Sequence, residues 1–189
     1  AQFPPYSPVT ADTASLVASS SFPITVSSAV SFVSSSPAAG STLAKVKNNV
    51  IEITFSGPVT LPGSAPLVIL PYCGRSDLAG QFTYSVNGSV LKAVENNTVL
   101  TNKTWYTVSR AAAFDGVEDF SFDVCTLLGD ADGSGQVLPA DLSAIWARKL
   151  QYTDGRWDID GSGQILPADL SAAWAHKLES KPAKTCPQG

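Results

Sequence analysis

Two acidic stretches carry the chemistry this chain could perform. GDADGSGQVLPADLSAIWARKL (129–150) and WDIDGSGQILPADLSAAWAHKL (157–178) repeat one another at an offset of 28 residues, and each contains D-x-D-x-S-G-x-[VI]-L-P-A-D. Calcium is a hard cation that takes about six to eight oxygen ligands. A twelve-residue, EF-hand-like loop can wrap it with side chains at positions 1, 3, 5 and 12, a backbone carbonyl at 7, and often a water at 9. In the first loop these are Asp130, Asp132, Ser134, the carbonyl of Gln136, and Asp141. In the second they are Asp158, Asp160, Ser162, the carbonyl of Gln164, and Asp169. Two Ca2+ ions are therefore expected, one in each loop.

Other loop positions fit the same reading. Position 6 is Gly135 or Gly163, where the chain must turn sharply and a Cβ is expected to clash. Val137 and Ile165 at position 8 are expected to meet in a short pair between the loops. Leu138 and Leu166 at position 9 cannot ligate, which leaves that corner to water or a nearby group. Asp stands at position 12 where Glu is usual, and with Ser at position 5 this points to weak binding, at about 10⁻⁴–10⁻³ M. A single such stretch could be an Asx-turn capping a helix; two near-identical copies argue against that.

Helices must hold the last ligand of each loop. Pro139 and Pro167 suit a first helical turn, where a missing N–H costs nothing. Leu142, Ile145, Trp146 and Leu150 then recur at helical spacing, as do Leu170, Ala173, Trp174 and Leu178. On that spacing Trp146 and Trp174 are expected in the core. The single His, His176, stands where the first copy has Arg148, so it reads as part of a solvated face. With no second base beside it, and with loops that saturate their ion, an enzyme is the least supported class.

Composition narrows the partners. The chain has 189 residues, 44% hydrophobic and 15% charged, with no apolar run near the roughly 20 residues of a membrane span. Net charge is −4, and the 12 Lys and Arg are scattered, which provides no basic stripe for nucleic acid. Six of the 16 carboxylates, the loop residues Asp130, Asp132, Asp141, Asp158, Asp160 and Asp169, fall within 40 residues, and two divalent cations would neutralise the formal charge. Three cysteines, Cys73, Cys125 and Cys186, lack the close pairs of zinc or redox motifs. The start at Ala1-Gln2-Phe3 and the absence of Met fit a mature secreted protein, extracellular or at the cell surface, where a disulfide can form. Cys125 and Cys186 flank the acidic repeats and are the expected clasp, with a pairing of either to Cys73 as the alternative.

Ahead of the repeats the pattern changes from helical to strand-like. Asn49 to Phe55 alternates, with Ile51, Ile53 and Phe55 on one face and Val50 on the other. Leu67 to Leu70 is continuously apolar, as a strand buried on both sides would be. Gln81 to Val86 and Ser89 to Val94 flank Asn87-Gly88, which predicts a hairpin with a type I′ turn. Trp105, Tyr106 and Val108 mark a further strand, and Phe120, Phe122 and Val124 alternate in the last one. The first 33 residues are rich in Ser, Ala, Thr and Pro, with Asp12 their only charge. Within them Phe22, Ile24 and Val26 alternate with polar residues, and Val30 and Phe32 resume the pattern. Such a segment can supply the first strands of its own sandwich, or add as a strand to a neighbouring copy. Asn87, Asn96 and Asn102 lie in glycosylation sequons, and the Ser/Thr-rich N-terminus also permits glycans.

Two family resemblances follow from these residues. SSSPAAGSTLAKVKNNVIEITFSGPV, with LTNKTWYTV and the closing strand, resembles bacterial Ig-like domains of surface-layer and other secreted proteins. This implies a spacer or adhesive β-sandwich without catalytic residues. The loop-then-helix repeat with Asp at position 12 and the Gly129-Asp130 lead-in resembles dockerin modules. That implies a three-helix, calcium-dependent fold that docks onto a cohesin, although Pro139-Ala140 and Pro167-Ala168 replace a pair that is often polar in that family. The expected organisation is mainly β: an N-terminal extended segment over 1–33, an Ig-like sandwich over 34–126, and a small α-helical dockerin-like module over 127–189. The expected role is a non-enzymatic structural subunit of an extracellular filament or surface layer, binding copies of itself. The alternative is a plug for a cohesin-like partner.

Overall fold

A computed structural model describes residues 29–152 and 155–186. The alternating segment around Phe22, Ile24 and Val26, with both readings of its strand pairing, lies outside the described residues. Among the described residues, eight strands form two four-stranded sheets, and two α-helices follow them. The first sheet contains β1 (Phe32–Ser36), β3 (Val50–Phe55), β6 (Val90–Glu95) and β5 (Phe82–Asn87), in that spatial order. The second contains β2 (Thr42–Leu43), β8 (Ser121–Thr126), β7 (Trp105–Arg110) and β4 (Leu67–Pro71). All pairings are antiparallel except that of β2 with β8. β1 begins at Phe32, and Val30 bridges Val117 just ahead of it, so the sheets take up residues just N-terminal to position 34.

Alternation places the core. Ile51, Ile53 and Phe55 of β3 are buried, while Val50, Glu52 and Thr54 on the other face are half-buried. They join Leu91 and Ala93 of β6, Phe82 of β5, Leu67 and Ile69 of β4, Tyr106 and Val108 of β7, and Phe122 and Val124 of β8 in one apolar cluster between the sheets. Two strand expectations need correction. β4 is an edge strand with one buried face, since Val68 and Leu70 are only half-buried, so its continuous apolar run does not mark burial on both sides. In the hairpin, Asn87 pairs with Val90, which makes Gly88-Ser89 the turn; only Gly88 has positive φ, as in the type II′ family.

α1 (Pro139–Trp146) and α2 (Pro167–Ala175) pack on each other over a second, small cluster. Its buried members are Ala44, Ala131, Ile145, Ile159, Ile165 and Ala173. Ala44 comes from the segment after β2, so the sheet region contributes a residue to the core of the helical region. The described residues contain these two α-helices, not the three that the dockerin resemblance implies. Trp146 and Trp174 are each 52% exposed, which corrects their expected burial. Each tryptophan lies within its helix, one position after the buried Ile145 or Ala173 and so turned off the buried stripe, and Leu150 and Leu178 beyond the ends adopt left-handed φ values of 65° and 66°.

The C-terminal tail ties the regions together. Cys73 and Cys186 form the disulfide, across 113 residues of sequence, whereas Cys125 is a buried free thiol. The expected Cys125–Cys186 clasp is therefore incorrect: Cys125 is buried on the face of β8 opposite Val124, and burial raises its pKa to about 11. Trp105 Nε1 donates to the Pro182 carbonyl (2.9 Å), Lys181 Nζ to the Gly40 carbonyl (2.8 Å), and Lys184 pairs with Asp123. No helix among the described residues is long and apolar enough to cross a membrane.

Candidate metal centres

Each acidic stretch folds into a compact loop that ends in the first turn of a helix. In the first, carboxylate oxygens of Asp130, Asp132 and Asp141 all lie within 4.8 Å of one another. Asp130 and Asp141 are buried and Asp132 is exposed. Asp141 is placed by α1: its Oδ2 accepts the Leu138 amide (2.7 Å), capping the helix, and its Oδ1 accepts the Asp132 amide (2.9 Å). Asp130 is held from inside the loop by the amides of Gly133 (2.9 Å) and Gly135 (3.0 Å). Ser134 Oγ lies 3.1 Å from the Gln136 carbonyl oxygen, so positions 5 and 7 also converge.

The second loop repeats this architecture. Asp158, Asp160 and Asp169 come within the same 4.8 Å, with Asp158 and Asp169 buried. Asp169 accepts the amides of Leu166 (2.7 Å) and Asp160 (3.0 Å), and Ser162 Oγ lies 3.0 Å from the Gln164 carbonyl. Gly135 and Gly163 have φ of +85° and +90°, which L-residues rarely adopt. Space is not the constraint there, because a Cβ at Gly163 would meet nothing within 4 Å and one at Gly135 only the Lys181 side chain. The expected clash is therefore replaced by a requirement on backbone conformation.

Crowding sets the electrostatics. Burial pushes the Asp141 and Asp169 carboxyls above their usual range, and the neighbouring aspartates add to this against the hydrogen bonds from Leu138 and Leu166. For Asp132 and Asp160 burial acts in the same upward direction. There the amide and hydroxyl of Ser134 or Ser162 outweigh it and hold the carboxyl below the usual range. Each group of three aspartates could hold a metal ion. The donors are all oxygen, with three formal negative charges per loop, a set suited to a hard cation and not to a soft one.

The short pair expected between Val137 and Ile165 does not form. Val137 instead exchanges hydrogen bonds with Leu178 and Glu179, beyond α2, and Ile165 with Leu150 and Gln151, beyond α1. Each loop is thus tied to the end of the other helix. His176 also differs from a purely solvated residue: its Nδ1 lies 3.2 Å from Glu179 and 3.4 Å from Asn102 Nδ2, at the seam with the sheets.

Residues from the sheet region reach both loops, and loop patterning in the sequence did not reveal them. The segment 42–48 runs between the loops. Thr42 Oγ1 donates to Asp130 Oδ2, Lys45 Nζ lies 3.2 Å from Asp158 Oδ2, and Asn48 Nδ2 donates to the Gly161 carbonyl (3.2 Å). The Val46 amide bonds to Ile159 O (2.7 Å) and the Gly129 amide to Ala44 O (3.0 Å). A Cβ on Gly161 would sit 2.8 Å from the Lys47 carbonyl, so glycine there permits the close approach. Arg156 completes the seam, donating to Asp130 O (2.8 Å) and Thr42 Oγ1 (3.2 Å). The signal available in the sequence was the pair of lysines, Lys45 and Lys47, set among the apolar Leu43, Ala44 and Val46. No family model matches the chain, and no curated protein matches it.

Proposed function

We propose that this is a secreted, non-enzymatic structural protein in which two Ca2+ ions stiffen the joint between an Ig-like sandwich and a dockerin-like module. In this reading it assembles with copies of itself into an extracellular filament or surface layer, with the N-terminal segment added as a strand to a neighbouring sheet. Calcium is favoured over other hard cations because twelve-residue loops with carboxylates at positions 1, 3 and 12 and a carbonyl at 7 supply many oxygens in flexible geometry. Magnesium prefers an octahedron and keeps most of its waters.

The observation that carries the structural reading is the seam. The helical region shares Ala44 with the sheet region, receives Thr42 and Lys45 on its loops, and is bolted to the second sheet by Cys73–Cys186. A load-bearing subunit benefits from such fusion, whereas a plug delivered to a receptor needs only a tether.

Electron microscopy of the purified full chain, with calcium and with a chelator, tests this directly. Filaments or sheets that depend on calcium, and that are lost when residues 1–28 are deleted, are expected. A monomer under all conditions would sink the assembly reading.

One observation favours docking as the second reading. Trp146 with Leu150 and Trp174 with Leu178 line two matching apolar grooves on the outside of the helices. Capture of a cohesin-like domain by the monomer, abolished by Trp146→Ala with Trp174→Ala, would favour that function over self-assembly.

A further inference from the structure

The two loops match in sequence but differ in what the sheet region places on their first aspartates. Asp130 Oδ2 accepts two neutral donors, the Gly135 amide and the Thr42 hydroxyl. Asp158 Oδ2 accepts the Gly163 amide and faces the Lys45 ammonium at 3.2 Å. Both members of this ion pair are buried, with side chains 5% and 1% exposed. The pair is not an incidental surface contact, because Lys45 is positioned from the sheet core. Its amide donates to Asn49 Oδ1 (3.2 Å), and its carbonyl accepts Asn49 Nδ2 (3.0 Å). Asn49 is in turn held by Glu95, a carboxylate 1% exposed that also accepts the amides of Val99 and Leu100.

We propose that Lys45 is a built-in counter-ion of the second loop: it holds Asp158 in place before a cation arrives and weakens cation binding there, so the first loop fills before the second. The physical reason is charge. Loop affinity for calcium follows the charge and rigidity of the ligands, and a fixed ammonium on one of three carboxylates repels an incoming dication in a site where burial reduces screening. Thr42 offers the same hydrogen bond in the first loop without a charge on the carboxylate itself; the cation nearest that aspartate, the Arg156 guanidinium, donates to its backbone carbonyl (2.8 Å) and to Thr42 Oγ1 (3.2 Å) instead. Near-identical dodecapeptides thereby become unequal sites.

This inference rests on the calcium reading, and one experiment separates the two. Calorimetric titration of the full-length protein with CaCl2 is expected to show two steps, about tenfold or more apart in affinity. Asp158→Asn should remove the weaker step and Asp130→Asn the stronger. Lys45→Met should raise the affinity of the weaker step by about tenfold while leaving the stronger unchanged, and Lys45→Arg should keep the wild-type pattern. A purely structural Lys45 would give the opposite sign, with Lys45→Met weakening the second site. Should Lys45→Met fail to fold without calcium, Thr42→Lys provides the converse variant and should weaken the step that Asp130→Asn removes. If wild type shows two steps but Asp158→Asn removes the tighter one, or Lys45→Met leaves the weaker step unchanged or lowers it, the inference fails while calcium binding stands. If wild type shows no binding, both fail.

Discussion

Between the sheets, Ile51, Ile53, Phe55, Leu91, Tyr106, Val108 and their neighbours fill the interior with large side chains; beneath the helices, three isoleucines and three alanines do so. The helical region also buries four aspartates, Asp130, Asp141, Asp158 and Asp169, close to that small core. Burying a full-sized apolar side chain contributes about 1.5–3 kcal/mol, so the sheet region has ample apolar driving force. The helical region has little, and its buried carboxylates repel. One region folds by excluding water; the other leans on what is supplied to it, a strap from the sheets and a disulfide and, in the proposed reading, cations.

The sharpest way to break that contrast is to withdraw calcium. At about a hundredfold over the dissociation constant, each filled loop contributes about 2.7 kcal/mol. Chelation should therefore lower the unfolding midpoint of the helical region by the largest margin, with far-UV and tryptophan signals losing their helical component first. If differential scanning calorimetry shows no shift, the dependence on cations is wrong.

Ile53→Ala probes the other side. Removing the buried side chain should cost about 2–5 kcal/mol in urea unfolding and leave calcium affinity intact. A loss of calcium affinity would mean the two regions are not separable in this way. Cys73→Ser should cost about 2–4 kcal/mol, felt mainly as release of the tail from the second sheet and read by limited proteolysis after residue 178. Resistance equal to wild type would show that Trp105, Lys181 and Lys184 suffice without the disulfide.

Smaller effects sharpen the boundary. Trp146→Ala, at a half-exposed site with Lys149 4.2 Å over its ring, should cost no more than about 1 kcal/mol. A larger loss in thermal melts would mean the groove is already filled by part of the chain. Cys125 should resist iodoacetamide at pH 8 until the protein is unfolded. Its folded pKa of about 11 lies above the ordinary 9.0, so its contribution to stability is intact below pH 9 and lost as pH rises through 11. Rapid alkylation of the native protein would show that β8 opens locally.

Periodicity made much of this legible. Alternation in Val50–Phe55 and at Phe122 and Val124 marked core-facing residues correctly, because a strand's side chains alternate whatever packs on them. The same reasoning overreached at Leu67–Leu70, where an apolar run sits on a sheet edge, and at Trp146 and Trp174, which lie within their helices but one position after the buried Ile145 and Ala173, off the buried stripe. Cysteine spacing misled as well, since position in the chain says nothing of which cysteine the tail brings within reach of Cys186.

By itself the sequence determined the two loops: their Asp, Ser and Gly residues are local in the chain, and a dodecapeptide's geometry follows from its own φ values and hydrogen bonds. Only the tertiary structure decided that Thr42 and Lys45 stand on those loops, that each loop ties to the opposite helix, and that Cys73 reaches Cys186. Those contacts join residues from 14 to 113 positions apart, and no local pattern encodes a partner that arrives through the packing of separate elements.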